Sequence, residues 1–398
     1  MKKSILIFGA GINQIELIRE ARKLGINSIV IDPSGCPPGK DEADIFYKVE
    51  GGDYDTTKQI ALKHKVDGIV TGQMEKPLPL MAKLAKELGY IFNTSKVIER
   101  SLDKTLMKRA FIKNEIQCAK SVSFSANEKI TKLKLKNLNY PMIVKPVDAF
   151  SSRGVQKVNN LNEILKIEKH SRTYSSNAKL LIEEFLEGRE LSVECITFNG
   201  KTTIIQITEK FITPPPNTVE MSHLQPARIS GIEKSLIEKF VIKAINAIGI
   251  NNSASHAEVM ITTNGPFIIE IGARLGGDFI SSYLTKASTG ISMDRAAIQV
   301  ALGVKPNIQK KYSHFSMIKY IKLEENRIVN QILPIDELKE TKGYVFSYLF
   351  IKKNDKIQKI THSGQRPACI LMKSENLESL FDLMEQTTNY IKNKIILS

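Results

Sequence analysis

Residues 256–278, HAEVMITTNGPFIIEIGARLGGD, contain two apolar stretches separated by the turn signal Asn264-Gly265. Glycine has no Cβ to clash at positive φ, and Asn-Gly between apolar stretches is a strong short-range hairpin signal. We therefore predict two antiparallel strands at about 257–262 and 267–271.

The length of the connecting loop decides which residues of this hairpin face each other. A three-residue loop at 263–265 sets Glu258 directly opposite Glu270, at a Cβ separation of about 4.5–5.5 Å. Side chains alternate across a strand, so Arg274 is expected on the same face. Two carboxylates this close repel unless one is protonated or a cation lies between them. Mg²⁺ suits such an all-oxygen site. A solvated hairpin with unrelated charges is the alternative, but both carboxylates lie in apolar strands, where an unpaired charge is costly.

The composition is that of an ordinary globular protein, with 42% hydrophobic and 25% charged residues among 398. This length predicts two to four domains. No apolar run approaches the roughly 20 residues needed to cross a bilayer, and the run 5–8 is too short for a signal peptide. We therefore expect a cytoplasmic protein without a membrane partner. The four cysteines form no CxxC pair, so neither zinc nor a disulfide framework is indicated.

The net charge of +15 comes from lysines spread along the whole chain. No nucleic-acid-binding motif accompanies them, so we expect no nucleic-acid partner. Anionic small molecules remain compatible with this charge.

Short β-branched runs alternate with helical patterns in the N-terminal part, which predicts a doubly wound parallel sheet. The predicted strands are 4–8, 28–32 and 68–71, and the predicted helices are 13–24, 55–65 and 77–88.

The first of these strands is followed by Gly9-Ala10-Gly11, and Asp32 ends the second strand. This spacing resembles a dinucleotide fingerprint, but Gln14 stands where the third glycine is needed. A structural turn is the better interpretation, and an NAD-dependent oxidoreductase is kept as an unfavoured alternative.

Two lysines farther along the chain are placed to meet phosphate groups. Lys145 lies on the otherwise apolar strand 141–146, and Lys104 lies near a helix start. The alternatives are a lysine that reaches to solvent and an ordinary exposed helix lysine. The loop 151–155, SSRGV, offers backbone N–H groups, hydroxyls and a guanidinium to a triphosphate, and could close as a lid that excludes water.

The order of these elements resembles the ATP-grasp carboxylate–amine ligases over about residues 1–308. The matching segments are LDK at Lys104, IVKP at Lys145, SSRGV, EEFLEG, ELSVE, HAE and EIGARLGG. Within that family, SHLQPA after a proline loop, together with RLGG, looks most like the L-amino-acid ligases that make dipeptides. The resemblance implies an α/β and α+β fold. It comprises a doubly wound domain at 1–95, an ATP-grasp domain at 96–308 with a lid at about 120–187, and a small C-terminal α+β domain at 309–398.

The resemblance also implies roles for individual residues. Glu258 and Glu270 would hold the metal, and Arg274 with the backbone of Gly276 and Gly277 would hold an acyl phosphate. His223 would border the amino-acid pocket. The residues implied to bind ATP are Lys104, Lys145, Ser152, Arg153, Gly154, Glu183, Glu184, Phe185, Leu186 and Glu190. Many members have an Asn two residues after the second metal glutamate; here that position is Gly272, and His256 or a water could take its place.

The resemblance implies that the chain is an ATP-dependent ligase. Such a ligase joins a small-molecule carboxylate to an amine, with ATP and Mg²⁺ (or Mn²⁺) as cofactors. The product is expected to be a peptide or amide made through an acyl phosphate, and a homodimer is expected because family members are often dimers. The nearest alternative is a ligase that joins a sugar acid or other metabolite acid to ammonia or an amine. A carboxylating enzyme of purine-pathway type and a nucleotide-binding regulator without turnover also remain open.

Overall fold

The computed structural model describes residues 2–149, 153–215 and 217–398. The strands are β1 (Ser4–Phe8), β2 (Asn27–Asp32), β3 (Ile45–Lys48), β4 (Gly68–Thr71), β5 (Ser121–Phe124), β6 (Met142–Pro146), β7 (Gln156–Val158), β8 (Leu180–Glu184), β9 (Arg189–Phe198), β10 (Lys201–Ile212), β11 (Glu220–Gln225), β12 (Ser253–Thr262), β13 (Gly265–Gly272), β14 (Phe315–Ile321), β15 (Val329–Ile332), β16 (Tyr344–Leu349), β17 (Ala368–Ser374) and β18 (Ile395–Leu397).

The α-helices are α1 (Ile15–Lys23), α2 (Tyr54–Lys63), α3 (Leu78–Leu88), α4 (Ser95–Leu102), α5 (Lys104–Lys113), α6 (Lys132–Leu135), α7 (Leu161–Arg172), α8 (Gly231–Ile248), α9 (Thr285–Thr289), α10 (Met293–Ala301) and α11 (Leu377–Asn393). A π-helical turn, Ile280–Leu284, leads into α9. None of the described helices is both long and apolar enough to cross a membrane.

The N-terminal strands form a parallel sheet in the order β3-β2-β1-β4, which confirms the predicted doubly wound class. Strands β1 and β2 are almost continuously buried, as expected when helices cover both faces of a parallel sheet. The turn after β1 is structural: the carboxylate of Asp32 accepts hydrogen bonds from the backbone N–H groups of Ala10 and Ser34, each at 2.8 Å. The carboxylate of Asp32 is thus bound to the backbone. In a dinucleotide-binding protein the carboxylate at this position would instead bind the ribose.

Three further sheets follow among the described residues, of which the smallest is the antiparallel pair β15–β18. Strands β5-β8-β6-β7 form an antiparallel sheet with its own apolar core. The largest sheet runs β13-β12-β9-β10-β11-β14-β17-β16. Strand β14 pairs directly with β11, from Ser222 opposite Lys319 to Gln225 opposite Ser316. The C-terminal strands therefore extend the central sheet, although the sequence changes in character near residue 308.

In the hairpin β12–β13, Glu258 lies opposite Glu270 as predicted, but the loop length that we used to predict this pairing is wrong. Thr262 pairs with Gly265, so the loop has two residues rather than the three that we predicted. A bulge then leaves Ile269 without a partner in the ladder and restores the expected pairing.

Capping residues separate two pairs of neighbouring helices. Asp103 lies between α4 and α5, and its side chain accepts hydrogen bonds from Thr105 N and Leu106 N and so caps α5. Gly290 has a left-handed φ of 76° and ends α9 before α10 begins.

Candidate functional site

A cavity of about 720 Å³ opens between the three larger sheets. Its lining includes Glu75 from the loop after β4, Lys145 from β6, Glu258 from β12 and Ser363 from the C-terminal region. This volume is typical of small-molecule and cofactor sites.

Most of the residues that the sequence singled out line this one cavity. They are Lys104, Lys145, Glu183, Glu184, Phe185, Leu186, Glu190, His223, Glu258, Glu270, Arg274 and Gly277. Ser152 lies outside the described residues, and Arg153, Gly154 and Gly276 are not part of the lining.

The opposed carboxylates Glu258 and Glu270 are each bound by a lysine from another element. The Nζ atom of Lys104 lies 3.1 Å from Oε1 of Glu270 and 2.8 Å from the carbonyl oxygen of Ala149. Burial would lower the pKa of Lys104, but the charges of Glu270 and Glu75 outweigh burial and raise it. Lys104 is therefore a permanent cation beside the predicted metal ligand.

The second lysine, Lys210 on β10, was missed by our sequence analysis. Its ammonium is bonded to Glu190 and lies 2.9 Å from Oε1 of Glu258 and 3.4 Å from Oε1 of Glu220. Burial would lower the pKa of Lys210, but these three carboxylates raise it well above its usual range. Glu190 is one of the residues implied to bind ATP, and one of its carboxylate oxygens is thus already bound by Lys210. The three carboxylates offer oxygens within 4.8 Å of one another, so Lys210 sits where positive charge is required.

Lys145 shares the carboxylate of Glu183 with a third lysine, Lys108. Glu183 is bonded to Lys145, and its Oε2 lies 2.8 Å from Nζ of Lys108. Burial alone would raise the pKa of Glu183, but the two lysines lower it to about 2. Burial lowers the pKa of Lys145, and the attraction of Glu183 is partly cancelled by repulsion from Lys108. Of these three groups, Lys145 and Glu183 line the cavity beside β8, whereas Lys108 is not part of the lining.

The segment from Glu183 to Leu186, which the resemblance implies to bind ATP, lies at the end of β8. The N–H groups of Glu184 and Phe185 donate to the carbonyl oxygens of Lys120 and Pro141, so these two groups are engaged within the protein. The apolar side chains of Phe185 and Leu186 remain in the cavity wall.

Arg274 is held by the N-terminal domain. Its Nε and Nη2 atoms donate to Oε1 of Glu75 at 3.1 and 2.7 Å, and its Nη1 donates to the carbonyl oxygen of Leu275. Gly272 lies close beside this guanidinium: a Cβ at Gly272 would stand 3.2 Å from Cζ of Arg274. A side chain at that position would therefore crowd the arginine.

His256, which could take the place of the missing Asn, lies between two carboxylates. Its Nδ1 lies 2.7 Å from Oε1 of Glu194, and its Nε2 lies 3.7 Å from Oε1 of Glu258. Burial would lower the pKa of His256, but Glu194 and Glu258 raise it to about 9. Glu194 thus orients the ring beside the predicted metal ligand Glu258.

The backbone N–H of Gly276 is also not available to a ligand, which corrects our expectation. It donates to Oγ of Ser281 at 2.7 Å, and Ser281 in turn lies 3.3 Å from Oε2 of Glu194. A Cβ on Gly276 would lie 2.4 Å from that same oxygen. Only Gly277 of this pair lines the cavity.

His223 on β11 contacts the loop that follows Arg274. Its Nε2 lies 2.9 Å from Oδ2 of Asp278, and Arg366 binds the same carboxylate through two hydrogen bonds of 2.7 and 2.6 Å. The C-terminal region thus completes the wall of the cavity.

The donor set fits a divalent cation and a nucleotide. Glu258 and Glu270 supply hard oxygen ligands on one face, and the cations already bound to them show that this face stabilises positive charge. Lys104 and Lys145 reach the same cavity from separate segments, where they can meet phosphate oxygens.

Some of the missed residues carried a readable signal and others did not. Lys210 is buried within a strand, as Lys145 is, although β10 is less apolar than the strand that contains Lys145. Glu75 and Arg366 lie in loops, and nothing local distinguishes them from other surface charges.

Comparison with known proteins shows which proteins this chain is similar to. Residues 138–282 match the family described as ATP-grasp domain. The chain is 28% identical over 247 residues to alanine–anticapsin ligase of Bacillus subtilis (strain 168), covering 55% of this chain and 50% of that protein. It is 31% identical over 147 residues to dapdiamide A synthase of Enterobacter agglomerans, covering 35% and 34%. The chain thus spans half or less of the length of these relatives.

The crystal structure of an L-amino acid ligase from Bacillus licheniformis shares the fold over 100% of this chain and 98% of its own, with a TM-score of 0.84 and 22% identity. The chain therefore contains an ATP-grasp domain and has the ATP-grasp fold.

Proposed function

We propose that this chain is an ATP-dependent carboxylate–amine ligase that joins two amino acids through an acyl phosphate and releases ADP and phosphate. The observation that carries the proposal is the gathering of Lys104, Lys145, the Glu258–Glu270 pair and Arg274 in one cavity. Phosphoryl transfer needs little covalent chemistry from a protein, so positioning and positive charge are the main requirements.

The nucleotide would lie along the wall that starts at β8. Phe185 and Leu186 provide an apolar surface for adenine, and Glu190 can accept a hydrogen bond from a ribose hydroxyl. Lys145 and Lys104 would contact the phosphate chain, and the loop at Arg153 and Gly154 would cover it.

Glu258 and Glu270 would hold Mg²⁺, or Mn²⁺, which neutralises charge on the phosphate oxygens when bound. Lys104 and Lys210 compensate the same carboxylates, and would turn toward phosphate when the carboxylates bind the cation. Arg274, fixed by Glu75, would stabilise the charge of the transferring phosphoryl group and of the acyl phosphate.

The choice of amino acids as substrates is supported by the relatives. An L-amino acid ligase shares the fold over the whole chain, and alanine–anticapsin ligase and dapdiamide A synthase match part of it. The carboxylates Glu220 and Asp278 in the cavity wall suit an incoming amine, which carries positive charge before it reacts.

A phosphate-release screen tests the proposal, with L-amino acids supplied singly and in pairs and the products identified by mass spectrometry. Phosphate release that requires a pair, with a dipeptide mass, is the expected result. Release with a non-amino acid and ammonia would support the sugar-acid alternative instead. Binding of ATP without ADP formation across acids and amines would show a regulator.

A further inference from the structure

The imidazole of His223 is bound on one side and free on the other. The side chain is 1% exposed and lines the cavity. Its Nε2 faces Asp278, whereas its Nδ1 is buried without a hydrogen-bond partner among the described residues. A buried ring nitrogen left unpaired beside a cavity is costly unless a ligand or water completes it.

Asp278 is held in place from the far end of the chain. Arg366 binds both of its carboxylate oxygens, and the guanidinium lies 3.5 Å from the centre of the Tyr320 ring. Burial would raise the pKa of Asp278, but Arg366 and His223 hold it well below its usual range. Asp278 therefore stays a carboxylate and accepts a hydrogen bond from the N–H at Nε2 of His223. In this tautomer the lone pair of the imidazole is on Nδ1.

We propose that His223 is the general base for the amine, with Asp278 and Arg366 as positioning residues. The assignment rests on the proposed function, because it concerns the second half of that reaction. His223, Asp278 and Arg274 line the same cavity, so the base faces the same space as the group assigned to the acyl phosphate.

The step balances as an acyl transfer from an ammonium. The ammonium first gives one proton to Nδ1 of His223, and the neutral nitrogen then attacks the carbonyl carbon and forms the C–N bond. The bond between the carbonyl carbon and the phosphate oxygen breaks, its electron pair leaves with phosphate, and the second proton of the nitrogen goes to the departing phosphate. The imidazolium then returns its proton to solvent.

Two nucleophiles separate this role from a structural one in a His223→Gln variant. Hydroxylamine is unprotonated at neutral pH and captures the acyl phosphate as a hydroxamate without needing a base. We expect hydroxamate formation within about twofold of wild type, and amide formation from an amino acid lowered about 100-fold at neutral pH. The deficit should narrow as pH rises, because the amine then arrives neutral.

The charged groups around the ring must be followed in the same pH profile. They are Asp278, Arg366, Lys210 opposite His223 in the ladder, Glu220 on its own strand, and the hydroxyl of Tyr320. These groups are present in both the wild type and the His223→Gln variant. The difference between the two pH profiles of amide formation therefore reports the contribution of the imidazole.

Asp278→Asn is a second, independent test, since it keeps the size of the side chain, removes its negative charge and replaces one acceptor oxygen with an N–H donor. It should lower kcat for amide formation and leave the KM for ATP unchanged. His314→Gln, outside the cavity, is the matched control. Equal losses of hydroxamate and amide in His223→Gln, or no loss of amide, would overturn the assignment. Failure of the wild type to form any hydroxamate or ADP would overturn the proposed function, and this role with it.

Discussion

The ammonium of Lys104, at the first position of α5, lies 3.1 Å from Oε1 of Glu270 on β13, although 166 positions separate the two residues. A cation thus already stands beside one of the two opposed carboxylates. The same arrangement recurs at Glu258, where Lys210 lies at 2.9 Å. Each of the two opposed carboxylates is therefore already paired with a lysine before any nucleotide or metal enters, and binding must redistribute these pairs.

Glu270→Gln should abolish most of the amine-dependent release of ADP. The amide keeps the shape but is a poorer ligand for a divalent cation, and it no longer pairs with the charge of Lys104. We expect a loss of at least about 10- to 100-fold in activity, measured by coupled ADP detection over a range of Mg²⁺ concentrations.

Glu324→Gln is the matched control, because that side chain is 71% exposed and lies outside the cavity. ADP release by Glu270→Gln at a rate close to that of the wild type would show that the metal assignment is wrong.

Arg274 and Glu75 should behave as one unit in a double-mutant cycle. Arg274→Ala is expected to lower kcat on the order of 100-fold, because a positioned donor to developing charge is lost. Glu75→Gln should cost about tenfold, since it only loosens the guanidinium. The double variant should be no slower than Arg274→Ala, because residues in direct contact are not additive.

Steady-state kcat for dipeptide formation measures all three variants of this cycle. Glu87→Gln, on an exposed part of the N-terminal domain, serves as the control. If the free-energy losses of Arg274→Ala and Glu75→Gln simply added in the double variant, Glu75 would act on the reaction independently of Arg274.

Local signals were sufficient to predict the N-terminal parallel sheet and the hairpin β12–β13, because hydrophobic runs and turn residues act over a few positions, whereas the ATP-grasp fold was implied by the resemblance. Strands β1, β2 and β4 fell within one residue of prediction. The hairpin β12–β13 shows the limit of this reasoning: the predicted facing pair is right although the loop length is wrong, since a bulge at Ile269 compensates. Bulges carry no reliable local signature.

Residues brought into the site by distant pairing could not be predicted in the same way. Arg366 meets Asp278 across 88 positions, and only the pairing of β14 with β11 brings the C-terminal region to the cavity. Lys210 could have been found, because an isolated cation in a buried strand needs carboxylate partners. The break at Gly290 also had a local signal, a glycine followed by the cap residue Ser292.

Glu20 should govern part of the acid sensitivity of the fold. It is buried between α1 and the helices α9 and α10, where Lys23, Lys286 and Arg295 contact it. Burial alone would raise its pKa, but these cations lower it from 4.5 to about 2. A depressed pKa stabilises the folded state above pH 4.5, and this contribution is lost as pH falls toward 2.

Glu20→Gln should therefore lower the free energy of unfolding at neutral pH on the order of 2 kcal/mol, with a difference that shrinks between pH 4.5 and 2. Urea titrations at several pH values measure this. Asp294 belongs to the same cluster, and burial together with Glu16 and Glu20 raises its pKa to about 7. Stabilities of the wild type and Glu20→Gln are best compared below pH 5. In that range Asp294 is protonated in both proteins and does not contribute to the difference. A constant difference across the acid range would contradict the prediction.

Gly276 and Gly277 offer a matched pair of alanine substitutions one residue apart. A Cβ at Gly276 would stand 2.4 Å from Oε2 of Glu194 and 2.8 Å from Nδ1 of His256, two buried groups that are bonded to each other and cannot easily move. A Cβ at Gly277 would meet nothing within 4 Å. Gly276→Ala should therefore destabilise the protein by about 1–3 kcal/mol, and Gly277→Ala by less than about 0.5 kcal/mol.

Thermal and urea unfolding of the two variants measure this difference directly. Because the displaced pair includes His256, which contacts Glu258, Gly276→Ala should also weaken the apparent affinity for Mg²⁺, whereas Gly277→Ala should leave it unchanged. Equal stability of the two variants would show that the loop can move away from Glu194. The contacts among Gly276, Ser281 and Glu194 would then not fix the position of the cavity wall.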